Sequence, residues 1–131
     1  MANVGTVPLH LLLIDDDPMF RYTVGTLLRR IGHRVEEAES GAAGLDLLRK
    51  MPVDLVLTDL RMPGMTGWEV ARLTKMLHPS VPVVLVTGSA ASIVPDLPER
   101  QYVDAILEKP CGAAQLQAVF RTLSAARVAA A

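Results

Sequence analysis

Short apolar runs alternate along the chain with longer segments in which apolar residues recur at helical spacing. The first run, Leu9–Ile14, predicts a strand buried on both faces, because its last four residues are all aliphatic. Similar patterns predict four more strands at Arg34–Ala38, Val53–Thr58, Val81–Thr87 and Ala105–Leu107, the first of which is the least apolar and is expected at an edge. Strands that alternate with helices favour a parallel sheet with helices on both faces.

Capping residues and apolar spacing predict the helices between these strands. Asp17 can cap a first helix over Pro18–Ile31, because a proline suits the first turn and Gly32 suits the end. Three further helices are predicted from Ser40 through Lys50, from Thr66 to about Leu77, and from Ala113 to about Val128.

One segment breaks the alternation. A helix is due between Ser89 and Asp104, but Pro95 and Pro98 fall inside it. A proline in a helix interior costs about 3 kcal/mol. We therefore predict that the fourth helix is short, displaced or irregular.

Composition is that of an ordinary globular domain. The chain has 131 residues, half of them hydrophobic, with a net charge of −1 and one cysteine, so we expect no nucleic-acid partner and no internal disulfide. No apolar run approaches the roughly 18 residues of a membrane-spanning helix, and we expect a cytoplasmic protein without membrane association. We assign residues 1–8 to a flexible lead-in, 9–127 to the domain and 128–131 to a tail.

Polar residues stand where four of the predicted strands end. Asp15 and Asp16 follow the first strand, Asp59 follows the third, Thr87 ends the fourth, and Lys109 follows the fifth. The carboxyl ends of parallel strands meet in one crevice, and clustered carboxylates repel each other unless a cation neutralises them. One such residue alone is usually a cap or a turn residue. Their joint placement indicates a site for a hard divalent cation such as Mg²⁺.

This combination of residue types suits phosphoryl transfer. A carboxylate can act as the nucleophile and form an acyl phosphate, while a metal and a lysine balance the phosphoryl charge and a hydroxyl donates a hydrogen bond. The sequence contains neither the P-loop motif nor the dinucleotide-binding glycine motif. Another protein or a small phosphodonor is therefore favoured over a bound nucleotide as the phosphate source.

Four motifs, in this order, resemble the response-regulator receiver domain of two-component signalling. They are Leu12–Pro18 (LLIDDDP), Asp54–Gly64 (DLVLTDLRMPG), Val84–Gly88 (VLVTG) and Glu108–Pro110 (EKP), and the resemblance covers about residues 9–127. It implies a flavodoxin-like three-layer sandwich, shared with the chemotaxis response regulator. That fold has a five-stranded parallel sheet of order 2-1-3-4-5 and about five helices.

The resemblance also implies a metal site. Asp15 and Asp16 look like the family's acidic pair, with Asp16 a direct Mg²⁺ ligand and Asp15 acting mostly through water. Asp59 and the backbone carbonyl of Arg61 are the other implied ligands.

Roles in phosphorylation follow from the same resemblance. Asp59 looks like the phosphoacceptor, Lys109 should pair with the phosphoryl group, and Thr87 resembles the switch hydroxyl. The Lys109–Pro110 peptide resembles the cis peptide of the family. At Ile106 this sequence departs from the pattern, because the family usually has Tyr or Phe three residues before the lysine. This departure and the broken segment 92–100 predict an atypical output face.

The implied function is that of a phosphoacceptor receiver domain. A histidine kinase or a histidine phosphotransfer protein would donate the phosphoryl group, and slow self-dephosphorylation would reset a domain that is not a turnover enzyme. We expect a monomer or weak dimer, either as a stand-alone receiver or as a domain of a longer protein such as a hybrid kinase. The alternatives are an interaction module that uses this fold without phosphorylation, and a phosphatase of the haloacid-dehalogenase type.

Overall fold

The computed structural model describes residues 7–93 and 96–130 of the chain. Its strands form one parallel sheet in the order β2-β1-β3-β4-β5, where β1 is His10–Ile14, β2 is Arg34–Ala38, β3 is Leu55–Thr58, β4 is Val83–Thr87 and β5 is Ala105–Glu108. The α-helices of the described residues are α1 Pro18–Ile31, α2 Gly41–Lys50, α3 Gly67–Leu77 and α4 Ala113–Ala130. The predicted fold class and strand order are confirmed.

Some predictions fall on residues that the structure leaves undescribed. These are residues 1–6 of the expected lead-in, Pro95 in the broken segment, and Ala131 in the expected tail. Across the described residues, no helix is both long and apolar enough to cross a membrane.

Alternate residues of the central strands face opposite layers of helices. In β1, Leu11 and Leu13 lie in one apolar cluster with residues of α1 and α4, whereas Leu12 and Ile14 lie in the other with residues of α2 and α3. All four side chains are at most 1% exposed. This burial on both faces explains the uninterrupted aliphatic run of β1. Each fully buried side chain of this kind contributes roughly 1.5–3 kcal/mol to stability.

The helix starts are fixed by the capping residues that the sequence indicated. Asp17 and Ser40 accept hydrogen bonds from backbone N–H groups in the first turns of α1 and α2. Thr66 and Glu69 form a reciprocal capping box at the start of α3. Gly32 follows α1 in the left-handed conformation, with φ of 119°, which glycine adopts without a steric cost.

The described part of the segment between β4 and β5 contains no α-helix. A 3₁₀ turn at Ala90–Ser92 and a second at Pro98–Tyr102 occupy this position. Pro98 opens the second turn, where its missing N–H breaks no helical hydrogen bond. The prediction of a short or irregular fourth helix agrees with this arrangement. The described chain thus has four α-helices and two 3₁₀ turns rather than about five helices.

Candidate functional site

Three carboxylates meet where two neighbouring strands end. Asp15 and Asp16 follow β1, and Asp59 follows β3, which pairs with β1 in parallel register. The backbone N–H of Asp59 donates to the carbonyl of Ile14 at 3.0 Å, which holds the two strand ends side by side. As a result, one oxygen from each of the three carboxylates lies within 4.8 Å of the other two. The structure therefore brings the predicted acidic residues together.

The two members of the acidic pair have different surroundings. Asp15 is only 1% exposed, and both of its carboxylate oxygens are engaged. Its Oδ1 accepts from the backbone N–H of Asp17 at 2.9 Å, and its Oδ2 accepts from Nζ of Lys109 at 2.8 Å. Asp16 is exposed to solvent. Asp16 is thus the member of the pair that is accessible to a ligand.

Lys109 lies between two of the three carboxylates. Its Nζ is 2.8 Å from Oδ2 of Asp15 and 3.7 Å from Oδ1 of Asp59. The ammonium group also lies over the ring of Phe20, 4.1 Å from its centroid, where the ring quadrupole attracts a cation. The peptide bond from Lys109 to Pro110 is cis, as the resemblance implied. The lysine is therefore held at the strand end by an anion on one side and an aromatic face on another.

Asp59 is intermediate in exposure between the buried Asp15 and the exposed Asp16. Its side chain is 12% exposed, and its Oδ1 accepts from the backbone N–H of Leu60 at 2.8 Å. Burial raises the pKa of Asp59 above its usual value, and the negative charge of Asp15 raises it further. The ammonium of Lys109 and the Leu60 N–H oppose this shift. The outcome is a partly desolvated carboxylate that is more basic than an exposed aspartate.

The start of α3 packs against the loop that carries Asp59. Gly67 donates its N–H to the carbonyl of Leu60 at 2.8 Å. A Cβ at position 67 would overlap the backbone carbonyl of Asp59 and would lie 2.8 Å from the Leu85 side chain. The close approach of helix and loop therefore requires a residue without a side chain.

Thr87 lies at the end of β4 and is 1% exposed. Its Oγ1 is 3.1 Å from Oγ of Ser89 and accepts from the Ser89 backbone N–H at 3.2 Å. The Thr87 hydroxyl is thus paired with the following turn in this structure. Gly88 between them is exposed, and a Cβ there would meet no atom within 4 Å, so a side chain at position 88 would extend into open space.

The Arg61 side chain connects the Asp59 loop to the first 3₁₀ turn. Its Nε donates to Oγ of Ser89 at 3.0 Å and its Nη2 donates to Oγ of Ser92 at 3.2 Å. The role of its backbone carbonyl as a metal ligand stays a prediction. Ile106, on β5, is half-buried and packs against the apolar cluster on the α2 and α3 side of the sheet.

The donor set fits a hard divalent cation. Carboxylate and carbonyl oxygens are the ligands that Mg²⁺ prefers, and the cluster offers them without a histidine or cysteine among its members. The exposed Asp16 and the neighbouring Asp59 supply oxygens facing the crevice, whereas Asp15 is engaged with Lys109. The direct role of Asp16 and the indirect role of Asp15 toward the metal stay predictions.

Two residues at the site were not assigned to it from the sequence. Phe20, whose ring lies beneath the Lys109 ammonium, fits the apolar spacing of α1 and carries no other signal in the sequence. Arg21 donates from Nη1 to the backbone carbonyl of Asp15 at 2.5 Å. Both lie on the first turn of α1, directly after the acidic motif. That proximity was the only sequence signal that could have pointed to them.

Comparisons with known proteins give a consistent result. The family model described as the response regulator receiver domain matches residues 11–121. The chain is 40% identical over 105 residues to the transcriptional regulatory protein GlrR of Escherichia coli, covering 79% of this chain and 23% of that protein. It is 36% identical over 103 residues to protein PilH of Pseudomonas aeruginosa, covering 77% of this chain and 85% of that protein. The chain thus spans about a quarter of the first of these relatives and most of the second.

Solved structures share the fold over nearly the whole chain. A response regulator receiver domain protein from Clostridium thermocellum superposes with a TM-score of 0.85 at 25% identity, covering 93% of this chain and 98% of that one. The response regulator TrrA from Thermotoga maritima, solved in complex with Mg²⁺ and BeF, has a TM-score of 0.80 at 24% identity, covering 87% of this chain and 97% of that one.

Proposed function

Because this chain belongs to the response regulator receiver domain family, we propose that it takes a phosphoryl group from a phosphohistidine onto Asp59 with the help of Mg²⁺. The observation that supports this most strongly is the placement of Lys109 between Asp15 and Asp59, at 2.8 and 3.7 Å. The Asp59 carboxylate provides a nucleophile, and the neighbouring Lys109 ammonium provides a fixed positive charge for a phosphoryl group.

Asp59 acts as the nucleophile in this proposal. One of its carboxylate oxygens bonds to phosphorus as the bond from phosphorus to the donor's imidazole nitrogen breaks, and the electron pair of that bond stays on the nitrogen. Because burial and the Asp15 charge raise the pKa of Asp59, its carboxylate is more nucleophilic than an exposed one. The aspartate is also held in position by the Leu60 N–H.

Lys109 pairs with the new phosphoryl oxygens through a charge-assisted contact. The ring of Phe20 limits where the ammonium can move. Thr87 leaves its contacts with Ser89 and donates to the phosphoryl group instead, which disturbs the following turn. Lys109→Ala should therefore impair phosphorylation or the response to it, and Thr87→Ala should weaken the response more than the labelling.

Asp16, Asp59 and the carbonyl of Arg61 would hold the metal, with help from Asp15. Bound Mg²⁺ supplies neutralisation of the charge that builds up on the phosphoryl oxygens. Attack by water on the acyl phosphate then returns free Asp59 and inorganic phosphate. This slow reset makes the domain a switch rather than a turnover enzyme.

A histidine kinase or histidine phosphotransfer protein is the proposed donor. The chain is 31% identical over 100 residues to the sensor histidine kinase RcsC of Escherichia coli, covering 76% of this chain and 10% of that protein. Relatives of such different lengths leave both arrangements in the proposal: a stand-alone receiver, or a domain of a longer protein such as a hybrid kinase. In either case we propose a domain over residues 9–127 that works in the cytoplasm as a monomer or weak dimer.

The test is labelling by acetyl phosphate, a small phosphodonor. Wild-type protein should gain one phosphoryl group with Mg²⁺ and none with excess chelator. Asp59→Asn should gain none while keeping the native circular dichroism spectrum. Asp46→Asn, an exposed carboxylate on α2 outside the cluster, is the matched control and should be labelled like wild type. Full labelling of the folded Asp59→Asn protein would contradict the assignment.

The second candidate function is an interaction module that works without phosphorylation. It is favoured by Ile106 in place of an aromatic residue and by the 3₁₀ turns in place of an α-helix between β4 and β5. Wild-type protein that binds Mg²⁺ but is never labelled by acetyl phosphate would support this candidate. The phosphatase alternative is not retained, because the chain belongs to the receiver family.

A further inference from the structure

The guanidinium of Arg21 contacts the backbone of the acidic motif rather than one of its carboxylates. Its Nη1 donates to the carbonyl oxygen of Asp15 at 2.5 Å, and its side chain is only 18% exposed. Arg21 lies on α1, six residues after Asp15 in the sequence. The proposed phosphoryl transfer gives this half-buried cation no role.

Arg21 is itself held by a chain of charged residues between α1 and β2. Its Nε is 3.7 Å from Oε1 of Glu37, and the other carboxylate oxygen of Glu37 is 2.9 Å from Nη1 of Arg29. Arg29 also donates from Nη2 to the carbonyl of Val35 at 2.8 Å. A Cβ at Gly25 would lie 2.8 Å from the Glu37 carboxylate, so the glycine leaves room for this group. These contacts fix the position of the Arg21 guanidinium.

The carbonyl that Arg21 binds belongs to the peptide bond joining Asp15 to Asp16. A peptide unit is planar, so fixing its oxygen restricts the nitrogen and Cα of Asp16. Asp15 is also held by its own N–H, which donates to the Ala38 carbonyl at 3.1 Å, and by its side-chain contacts with Asp17 and Lys109. Asp16 is exposed, and its side chain makes no hydrogen bond or ion pair with any residue that the structure describes. Its direction therefore depends on the peptide that Arg21 holds.

We propose that Arg21 is a positioning residue that aims the Asp16 carboxylate at the metal position by fixing the Asp15–Asp16 peptide, and that Glu37 aligns Arg21 for this task. The proposal rests on the proposed function, in which Asp16 is a metal ligand. The ion pairs among Arg21, Glu37 and Arg29 then serve the metal position as well as the packing of α1 against β2.

The direction in which Mg²⁺ affinity changes when Arg21 is removed distinguishes a positioning role from a purely electrostatic one. If Arg21 acted only as a positive charge near three carboxylates, its removal would strengthen cation binding. If it positions a ligand, its removal weakens binding, and the loss of a residue that orients a metal ligand typically costs 10–100-fold in metal affinity. We therefore expect Arg21→Ala to bind Mg²⁺ about tenfold more weakly than wild type.

The experiment is calorimetric titration of the full chain with MgCl₂ at constant ionic strength, well below the melting temperature. Arg21→Lys keeps the charge and one donor and should recover part of the affinity. Glu37→Gln should lose affinity in the same direction but less. Arg30→Ala is the matched control, because it also removes an arginine from α1, but the Arg30 side chain is exposed and makes no hydrogen bond or ion pair within residues 7–93 and 96–130. It should match wild type.

Unchanged or tighter Mg²⁺ binding by folded Arg21→Ala would overturn the proposal. Should that variant fail to fold, Arg21→Lys and Glu37→Gln decide the question, and wild-type affinity in both would overturn it. Acetyl phosphate labelling of wild-type protein in the same preparations separates the two claims. Labelled wild type with unaffected variants contradicts only the role of Arg21, whereas wild type that neither binds Mg²⁺ nor is labelled contradicts the proposed function as well.

Discussion

Asp59 combines two environments that oppose each other. It lies beside the ammonium of Lys109, which stabilises its anion, but it is also partly buried and close to Asp15. The net effect raises its pKa above 3.8, so the folded protein binds this proton more tightly than the unfolded chain does. Ionisation of Asp59 therefore opposes folding of the metal-free protein.

Because ionisation of Asp59 opposes folding, the stability of Asp59→Asn relative to wild type should depend on pH in metal-free buffer. Below pH 3.8 the wild-type carboxyl is protonated in both states, and the variant should gain no stability. As the pH rises through the raised pKa, the wild type loses stability that the variant keeps. The variant should therefore have the higher free energy of unfolding at neutral pH, measured by urea denaturation across this pH range. Equal stability at pH 7, or a difference that shrinks as the pH rises, would contradict it.

Gly67 gives a second prediction at a single residue. Gly67→Ala places a methyl group against the Asp59 carbonyl and the Leu85 side chain. We expect a loss of about 1–3 kcal/mol in the free energy of unfolding, the usual cost of overpacking, together with slower labelling of Asp59. Gly112→Ala is the control, because a Cβ there meets no atom within 4 Å. A Gly67→Ala protein as stable and as quickly labelled as the control would show that the loop tolerates the methyl group.

The sequence predicted which residues would lie together at the strand ends, because each of them directly follows an apolar strand. Asp15, Asp16, Asp59 and Lys109 stand at strand ends, so the sheet itself brings them together. Phe20 and Arg21 could not be identified in this way, because an aromatic and a basic residue on a helix also occur in ordinary amphipathic patterns. Their roles depend on the side-chain directions that the first turn of α1 imposes.

Among the elements, the segment between β4 and β5 is the one that departs most from a regular βα repeat. Arg61 ties it to the Asp59 loop through Ser89 and Ser92, and Ser89 is also the partner of Thr87. Thr87 and Arg61 thus both contact serines at the first 3₁₀ turn. The prolines indicated that the helix expected between β4 and β5 would be irregular. The spacing of apolar residues could not predict the contact with Arg61.

We predict that phosphorylation is read out as a shift or ordering of the segment from Ser89 to Asp104. Ile106 is smaller than the usual aromatic residue and is stiff at χ1, so this position cannot respond by moving an aromatic ring. Hydrogen exchange with Mg²⁺ and beryllofluoride, a phosphoryl mimic, should show changed protection in this segment. Changes confined to the loops that carry the acidic residues would contradict this prediction.

Hydrogen exchange of Arg61→Ala tests the contact between Arg61 and the first 3₁₀ turn. Without beryllofluoride it should already increase exchange at Ser92 and Ile93, whose amides close the first 3₁₀ turn. Arg72→Ala, on α3, removes an arginine that does not contact these serines and should leave both amides unchanged.

For the whole molecule, the three clustered carboxylates imply that metal binding and folding stability are coupled. A cation that binds only the folded state stabilises it by an amount that depends on the ratio of its concentration to Kd, about 2.7 kcal/mol at a hundredfold excess. The melting temperature should therefore rise with Mg²⁺ concentration, and it should rise less for Asp16→Asn. A melting temperature insensitive to millimolar Mg²⁺ would contradict the metal site. The layering followed from the alternation of elements and the strand order from the family resemblance, whereas this coupling depends on the side-chain cluster.

In the proposed function, Asp59 is the residue that carries the phosphoryl group. Wild-type protein should be labelled with acetyl phosphate and Mg²⁺, reduced at once with borohydride, and digested for tandem mass spectrometry. Borohydride reduces an acyl phosphate to an alcohol, which converts a phosphorylated aspartate into homoserine. We predict homoserine at position 59 and aspartate at positions 15, 16 and 17. Homoserine at another aspartate, or unmodified Asp59 in protein that has gained a phosphoryl group, would contradict the account.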